Sequence, residues 1–360
     1  MRDGFGREID YMRISVIDSC NLNCYYCNPC DNNEHCHALN ILSVKEVLCI
    51  VRAATRLGIK HFRLTGGEPL LHPQLDEMVL QIKKIPGVSS VSLTTNAVLL
   101  AQHAKWLKEA GIDSINVSLD TIDASEYERI TKKPLLEEVK HGINAAIECG
   151  IRVKINVVLT PQTDVVALTR YVAKKGTDIR FIEMMPVGEG HTNGVEPYKK
   201  VIGTLSKLYG EPCRINTEKT KEINSGNDKR KIPDNGPAEY YIFPELGIRV
   251  GLIQAIHGKF CDTCNRIRVT ADGRLMPCLG SSVTMDLVPD SCEFTDDLEK
   301  DFVIVQALKA AIKAKPGCHN FNDNAVTYTK TTETKTVETK TTELKAAEVN
   351  AARNMSRIGG

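Results

Sequence analysis

Six strand-like runs separated by helical patterns limit this chain's fold more than any other feature. Residues 11–17, 60–65, 88–95, 113–119, 151–159 and 178–184 read as strands, and 43–57, 74–84, 101–110, 135–149 and 164–175 as helices between them. Ser43, with Glu46 three residues on, forms a capping box at the start of the first helix. Strands that alternate with helices require a parallel sheet with right-handed crossovers. Six such units fall short of the eight that close a barrel, so the expected fold is α/β, a partial (β/α)6 TIM-type barrel.

The unusual residues gather where the strands end. Thr65-Gly66-Gly67-Glu68-Pro69, Thr94-Thr95-Asn96, Ser118-Leu119-Asp120 and Glu183-Met184-Met185 all fall at or just after strand ends, the face on which parallel barrels carry their sites. In the fifth run, Arg152, Lys154 and Asn156 alternate with Val153, Ile155 and Val157. Three polar side chains on one face, with helices covering the other, point into the barrel. A buried ammonium there calls for an anion.

Two cysteine trios supply the chemistry. Of 13 cysteines, Cys20, Cys24 and Cys27 follow the first strand, and Cys261, Cys264 and Cys278 lie some 230 residues further on. Three thiolates on a four-iron cluster leave one iron open to a small molecule. A zinc site remains an alternative for the first trio, because Cys30 and Cys36 stand nearby. Cys49, Cys149, Cys213, Cys292 and Cys318 read as core or incidental thiols. Thirteen cysteines spread over 360 residues do not form the dense framework of a small secreted domain.

A hydrophobic content of 42% allows a full-size core, and a net charge of +1 gives no global field for nucleic acid or an anionic membrane. No apolar run approaches the ~18 residues of a membrane span, and no signal peptide precedes the first motif. The expected location is the reducing cytoplasm. Beyond residue 210 the pattern changes: 224–237 reads as a long loop and 302–315 as a helix. From 325 to 350, Lys330, Lys335, Lys340 and Lys345 recur every five residues, as do Glu333, Glu338, Glu343 and Glu348. That period fits neither helix nor strand, so the segment reads as a solvated linker. The expected divisions are 1–217 for the partial barrel, 218–324 for the second-cluster region, 325–350 for the linker and 351–360 for a tail ending in Gly359-Gly360.

Tyr26 before the last cysteine of the first trio, together with the Gly-Gly-Glu-Pro run, resembles the radical S-adenosylmethionine (SAM) superfamily. The second trio narrows the resemblance. Phe260-Cys261-Asp262-Thr263-Cys264-Asn265-Arg266-Ile267-Arg268, then Thr270-Ala271-Asp272-Gly273-Arg274-Leu275 and Pro277-Cys278-Leu279, with the terminal Gly-Gly, is similar to the GTP 3′,8-cyclase family of molybdenum cofactor biosynthesis. The similarity covers nearly all of residues 3–322 and the last seven, and leaves out the repeat.

The resemblance implies two [4Fe-4S] clusters, one on each trio. The first acts with SAM to give a 5′-deoxyadenosyl radical that removes the ribose 3′ hydrogen of GTP, and the second holds the guanine. It also implies SAM contacts at Tyr26, Gly67, Ser118 and Met185, and GTP contacts at Arg13, Arg63, Thr94, Lys154, Arg266, Ile267 and Arg268. Arg180, beside the sixth strand, is a further phosphate candidate. Arg13, Gly359 and Gly360 carry catalytic roles by the same carry-over, with the glycine tail reaching the active site. The product would pass to cyclic pyranopterin monophosphate synthase, and a homodimer is compatible with the resemblance.

Ala97 stands where the family usually has Gly, and His72 where it commonly has a basic residue. Two rivals remain at this stage: a radical enzyme acting on a peptide or another small molecule, and a non-catalytic zinc or iron–sulfur interaction module.

Overall fold

The computed structural model describes residues 1–27, 40–187, 194–215, 236–281, 284–287, 297–319 and 321. The expected alternation is present: β1 (Tyr11–Ser15), α1 (Val44–Arg56), β2 (His61–Thr65), α2 (Leu75–Lys83), β3 (Ser90–Thr95), α3 (Leu100–Glu109), β4 (Ser114–Ser118), α4 (Ala124–Thr131), α5 (Leu136–Glu148), β5 (Val153–Leu159), α6 (Val165–Lys174) and β6 (Asp178–Glu183). The second half adds α7 (Gly203–Tyr209), β7 (Cys213–Ile215), β8 (Glu239–Ile242), β9 (Arg249–Ile253), β10 (Arg266–Val269), β11 (Arg274–Met276), β12 (Met285–Asp286) and α8 (Asp297–Lys313). Ser43 and Glu46 make the reciprocal capping box: the serine hydroxyl accepts from the Glu46 amide, and the Glu46 carboxylate accepts from the Ser43 amide at 2.8 Å.

Among the described residues, the twelve strands form one open sheet in the order β12-β11-β10-β1-β2-β3-β4-β5-β6-β9-β8-β7. The six expected strands are parallel and consecutive. β10 joins β1 and β9 joins β6, both in parallel, so the C-terminal part lengthens the partial barrel at both edges. Neither strand was expected from the sequence.

Register gives the sheet two faces. Met12, Phe62, Val91 and Ile267 share one row, and Ile14, Leu64, Leu93, Ile115 and Val153 the next, all buried beneath the helices. The opposite parity carries Tyr11, Arg13 and Ser15 on β1 and Arg63 and Thr65 on β2. It continues with Asn116 and Ser118 on β4, Lys154 and Asn156 on β5, Arg180 on β6, and Arg266 and Arg268 on β10. The apolar face drives the packing, which leaves the concave face to the polar set.

Candidate active site

The first trio sits on the loop that leaves the carboxyl end of β1, and three neighbours fix that loop. The Gly67 amide donates to the Ile17 carbonyl and the Glu68 amide to the Ser19 carbonyl, both at 2.8 Å. A Cβ on Gly67 would stand 2.5 Å from the Asp18 carbonyl oxygen and closer still to Ser19, so only glycine lets the two backbones meet. The Asn96 amide side chain donates to Asn21 Oδ1 at 2.7 Å and reaches the Cys20 sulfur at 3.8 Å. Helix α4, absent from the sequence reading, supports the far side: the Asn23 and Tyr25 amides donate to the Thr131 and Ile130 carbonyls.

Glu68 joins these parts. Its fully buried carboxylate accepts from the Leu70 and Asn96 amides and the Thr95 hydroxyl, and burial lifts it to about 7. Asp120 plays a similar part for Tyr26, accepting from its hydroxyl and from the Val158 amide, with burial raising the carboxyl to about 6.

Burial raises the Cys24 thiol well above its ordinary value, and Cys27, Asp120 and Cys20 add to this. The three sulfurs therefore share one electrostatic neighbourhood. Cys20 is pushed to about 11 for the same leading reason. Among the described residues no three His, Cys, Asp or Glu side chains gather tightly enough for a single metal ion, which would need sulfurs within about 4 Å of one another. A four-iron cluster places each thiolate on its own iron, further apart.

The second trio lies at the other end of the same strand pair. Cys264 lies two residues before β10, which runs parallel to β1, and the Tyr11 amide donates to the Asn265 carbonyl. Antiparallel β11 returns the chain toward the start of β10, carrying Cys278 back to Cys264. Cys261 is raised by burial, and Cys278, Cys264 and Cys318 also contribute. The structure thus brings Cys318, read as incidental from the sequence, beside this trio. Cys264 behaves differently: burial opposes ionisation, but Arg266 and Lys315 outweigh it and hold the thiol at about 7. With the first trio past the end of β1 and the second before its start, the strand's length sets their separation at on the order of 15 Å.

Cations fill the space between. Arg13 pairs in register with Arg268 on one side and Arg63 on the other. Burial drives Arg13 well below the usual guanidinium range, and Arg268, Arg63 and Arg266 push it the same way. Arg268 is lowered to about 10 by burial first and Arg266 second. Arg63 donates to the Tyr11 hydroxyl and to the Leu93 carbonyl at 3.3 Å, with the Thr94 hydroxyl at 3.5 Å. Lys154 and Arg180 are each 5% exposed. The Lys154 ammonium lies 5.9 Å from the Tyr240 ring, and Arg180 donates to Asn156 at 3.0 Å. Gly251 leaves room for Arg180, since a Cβ there would meet its Cγ at 2.7 Å.

The buried carboxylates Asp178 and Glu183 are taken by Arg249 and His257. Two buried polar atoms, Arg266 Nε and Asn116 Oδ1, have no hydrogen-bond partner among the described residues. Four mutually repelling arginines, Arg13, Arg63, Arg266 and Arg268, with Lys154 and Arg180 on the same face of the sheet, fit a polyanionic ligand that brings its own acceptors. Three thiolates serve three of the four irons of a [4Fe-4S] cluster, so each trio fits a cluster with one iron left open.

Two expectations need correcting. Ile267 pairs with Met12 and is 1% exposed in the apolar core, so its side chain faces away from the cations. Arg152 precedes β5 rather than lying in it. His72 is structural: its Nδ1 accepts from the Gln74 amide, so Nε2 carries the proton and donates to the Leu42 carbonyl at 2.9 Å. Ala97 holds the left-handed conformation, φ 65°, that favours glycine. Met185 packs partly buried beside Val187 and Met276, and Ser118 is exposed at the end of β4. Gly359 and Gly360, the repeat, Cys30, Cys36 and Cys292 lie outside the described residues.

A family model described as the radical SAM superfamily matches residues 14–167, and one described as Molybdenum Cofactor Synthesis C matches 177–321. The GTP 3′,8-cyclase of Clostridium perfringens (strain SM101 / Type A) is 36% identical over 324 residues, covering 89% of this chain and 95% of its own. That of Pelotomaculum thermopropionicum is 36% identical over 327 residues, with 89% and 95% covered. The chain belongs to the GTP 3′,8-cyclase family. Among solved structures, SAM-bound SuiB of Streptococcus suis matches with a TM-score of 0.55 at 15% identity, covering 83% of this chain and 66% of that one, which shows the shared fold. Membership of the cyclase family removes the interaction module and the peptide-modifying enzyme as readings of this chain.

Three features of this cyclase-family chain escaped the sequence reading. Tyr11, whose hydroxyl takes the Arg63 guanidinium, carries no motif signal beyond its place two residues before Arg13 on β1. α4 is short and polar. Lys315 lies two residues past α8, where a lysine is ordinarily solvated.

Proposed function

We infer that this chain is a radical SAM enzyme that converts GTP to (8S)-3′,8-cyclo-7,8-dihydroguanosine 5′-triphosphate, the first step of molybdenum cofactor biosynthesis. The observation that carries this reading is the row of cations, buried at Arg268 and half-buried at Arg13, Arg63 and Arg266, between two cysteine trios at opposite ends of one parallel strand pair. Cys20, Cys24 and Cys27 would hold one [4Fe-4S] cluster, and Cys261, Cys264 and Cys278 the other. With SAM bound, the first cluster supplies the 5′-deoxyadenosyl radical that takes the 3′ hydrogen. Tyr26, Gly67, Ser118 and Met185 line the mouth where SAM would sit.

Arg13, Arg63, Lys154, Arg180, Arg266 and Arg268 bind the triphosphate and fix the ribose between the two ends. Thr94 shares that task through Arg63. Arg forks suit phosphate oxygens in pairs, and their burial strengthens each contact by excluding water. Holding C8 of the base against C3′ of the ribose is an orientation task, for which a rigid strand scaffold is well made. Gly359 and Gly360 complete the site from the tail. The product passes to cyclic pyranopterin monophosphate synthase, and the chain works in the cytoplasm. Among the described residues no helix is long and apolar enough to cross a membrane.

The test is anaerobic reconstitution with iron and sulfide, then reductant, SAM and GTP. GTP-dependent 5′-deoxyadenosine with an equal amount of a cyclised product isomeric with GTP supports the reading. 5′-Deoxyadenosine that forms equally without GTP, with no new nucleotide, overturns it.

A further inference from the structure

The second trio is tied together by a segment that carries none of its cysteines. After α8 the chain reaches Lys315, which is 2% exposed. Its ammonium donates to the Arg266 carbonyl at 2.7 Å and the Pro277 carbonyl at 2.8 Å, and it hydrogen-bonds Cys264. Arg266 lies two residues after Cys264, and Pro277 immediately before Cys278. A lysine has three N–H donors. Here they span the start of β10 at Arg266, the strand end that leads to Cys278, and a sulfur.

The next two residues serve Cys261. Arg7 donates to the carbonyls of Pro316 at 2.7 Å and Gly317 at 3.0 Å, and the same guanidinium donates to the Cys261 carbonyl at 2.7 Å. Asp3 supplies the counter-charge to Arg7 at 2.6 Å. One ammonium and one guanidinium thus connect all three cysteine-bearing segments to residues 315–317.

We propose that Lys315 is a positioning residue for the second cluster: it holds the Cys264 and Cys278 segments at ligand spacing and places a fixed positive charge against the cluster's sulfur shell. Two backbone carbonyls alone would be served by any neutral amide donor. Burying an ammonium is costly unless an anion faces it, and among the described residues no Asp or Glu pairs with Lys315. A thiolate-ligated cluster is that anion. The charge favours the more reduced cluster, so its removal lowers the second cluster's reduction potential while leaving the first unchanged.

The inference rests on Cys261, Cys264 and Cys278 holding a cluster, and one experiment separates the two claims. Reconstituted full-length wild type, K315M, K315Q and K315R are compared for iron and sulfide per chain, and for the potentials and electron paramagnetic resonance signals of both clusters. Wild type holds about eight irons and K315M about four, with the first cluster's signal intact. K315Q, which keeps amide donors without charge, holds both clusters but shows a lower second potential, and K315R restores it.

A wild type with only four irons refutes the second-cluster assignment itself. Eight irons in wild type together with K315M of wild-type iron content and potential refutes the role of Lys315 alone. If K315M does not yield folded protein, K315Q decides: an unchanged second potential refutes the role.

Discussion

Substituting Gly67 with Ala tests how the first trio is positioned. The added Cβ would stand 2.5 Å from the Asp18 carbonyl oxygen and nearer still to the Ser19 carbonyl, both backbone atoms with no side-chain freedom to yield. Ordinary contact begins at 3.4 Å, so the loop leading to Cys20 must retreat by about an ångström. That retreat strains the Gly67–Ile17 and Glu68–Ser19 hydrogen bonds, now both 2.8 Å. Overpacking costs about 1–3 kcal/mol and each lost hydrogen bond about 1 kcal/mol, for a local cost of about 3–5 kcal/mol.

The cost falls on the loop, not on the sheet, so G67A should fold and keep its second cluster. Iron per chain should drop from about eight toward four, with SAM cleavage lost. Iron analysis, resonance spectra and SAM cleavage assays read this out. If G67A retains full iron and its only defect is weaker SAM binding, the glycine serves as a ligand contact alone, and the packing argument is wrong.

Four further outcomes follow from the same geometry. R268M should weaken GTP binding by roughly 10–100-fold, the worth of a charge-assisted contact, without lowering the ligand-free melting temperature, because burial and Arg266 already oppose that charge; calorimetry and thermal melts check both. A97G should stabilise the fold by about 1 kcal/mol in denaturant melts, by relieving the left-handed alanine at φ 65°. Burial lifts Glu68 from 4.5 to about 7, so across that window the folded chain keeps a proton the unfolded chain has released. Stability therefore falls as pH rises from 4.5 through 7, and E68Q should remove a slope worth up to about 3 kcal/mol, seen by comparing melts at pH 5 and 8. Deleting Gly359-Gly360 should abolish turnover while both clusters still assemble; a fully active truncated chain refutes the tail's role.

The six barrel strands and, α4 apart, the helices between them were legible because each is a local periodic pattern, and their observed bounds fall within one or two residues of those read from the sequence, as with Val44–Arg56 for 43–57. β9 and β10 were not. Each is only four or five residues long, and what makes it a strand is a partner far away: β6 for β9, and β1, some 250 residues earlier, for β10. No local pattern encodes that pairing.

The cations were individually visible, but their confrontation depends on Arg13, Arg63 and Arg268 sharing one register row across three strands. Ile267 shows the converse. It stands between Arg266 and Arg268 in sequence, and strand alternation sends it to the opposite face. Lys315 was invisible because its partners are backbone carbonyls, which no sequence motif marks.

The central claim is that this row of cations holds GTP so that its ribose 3′ hydrogen meets the radical. Turnover with GTP carrying deuterium at the ribose 3′ position tests it most directly. One deuterium is expected in the released 5′-deoxyadenosine, in step with the cyclised product and with none lost to solvent. Cyclised product accompanied by unlabelled 5′-deoxyadenosine would contradict it.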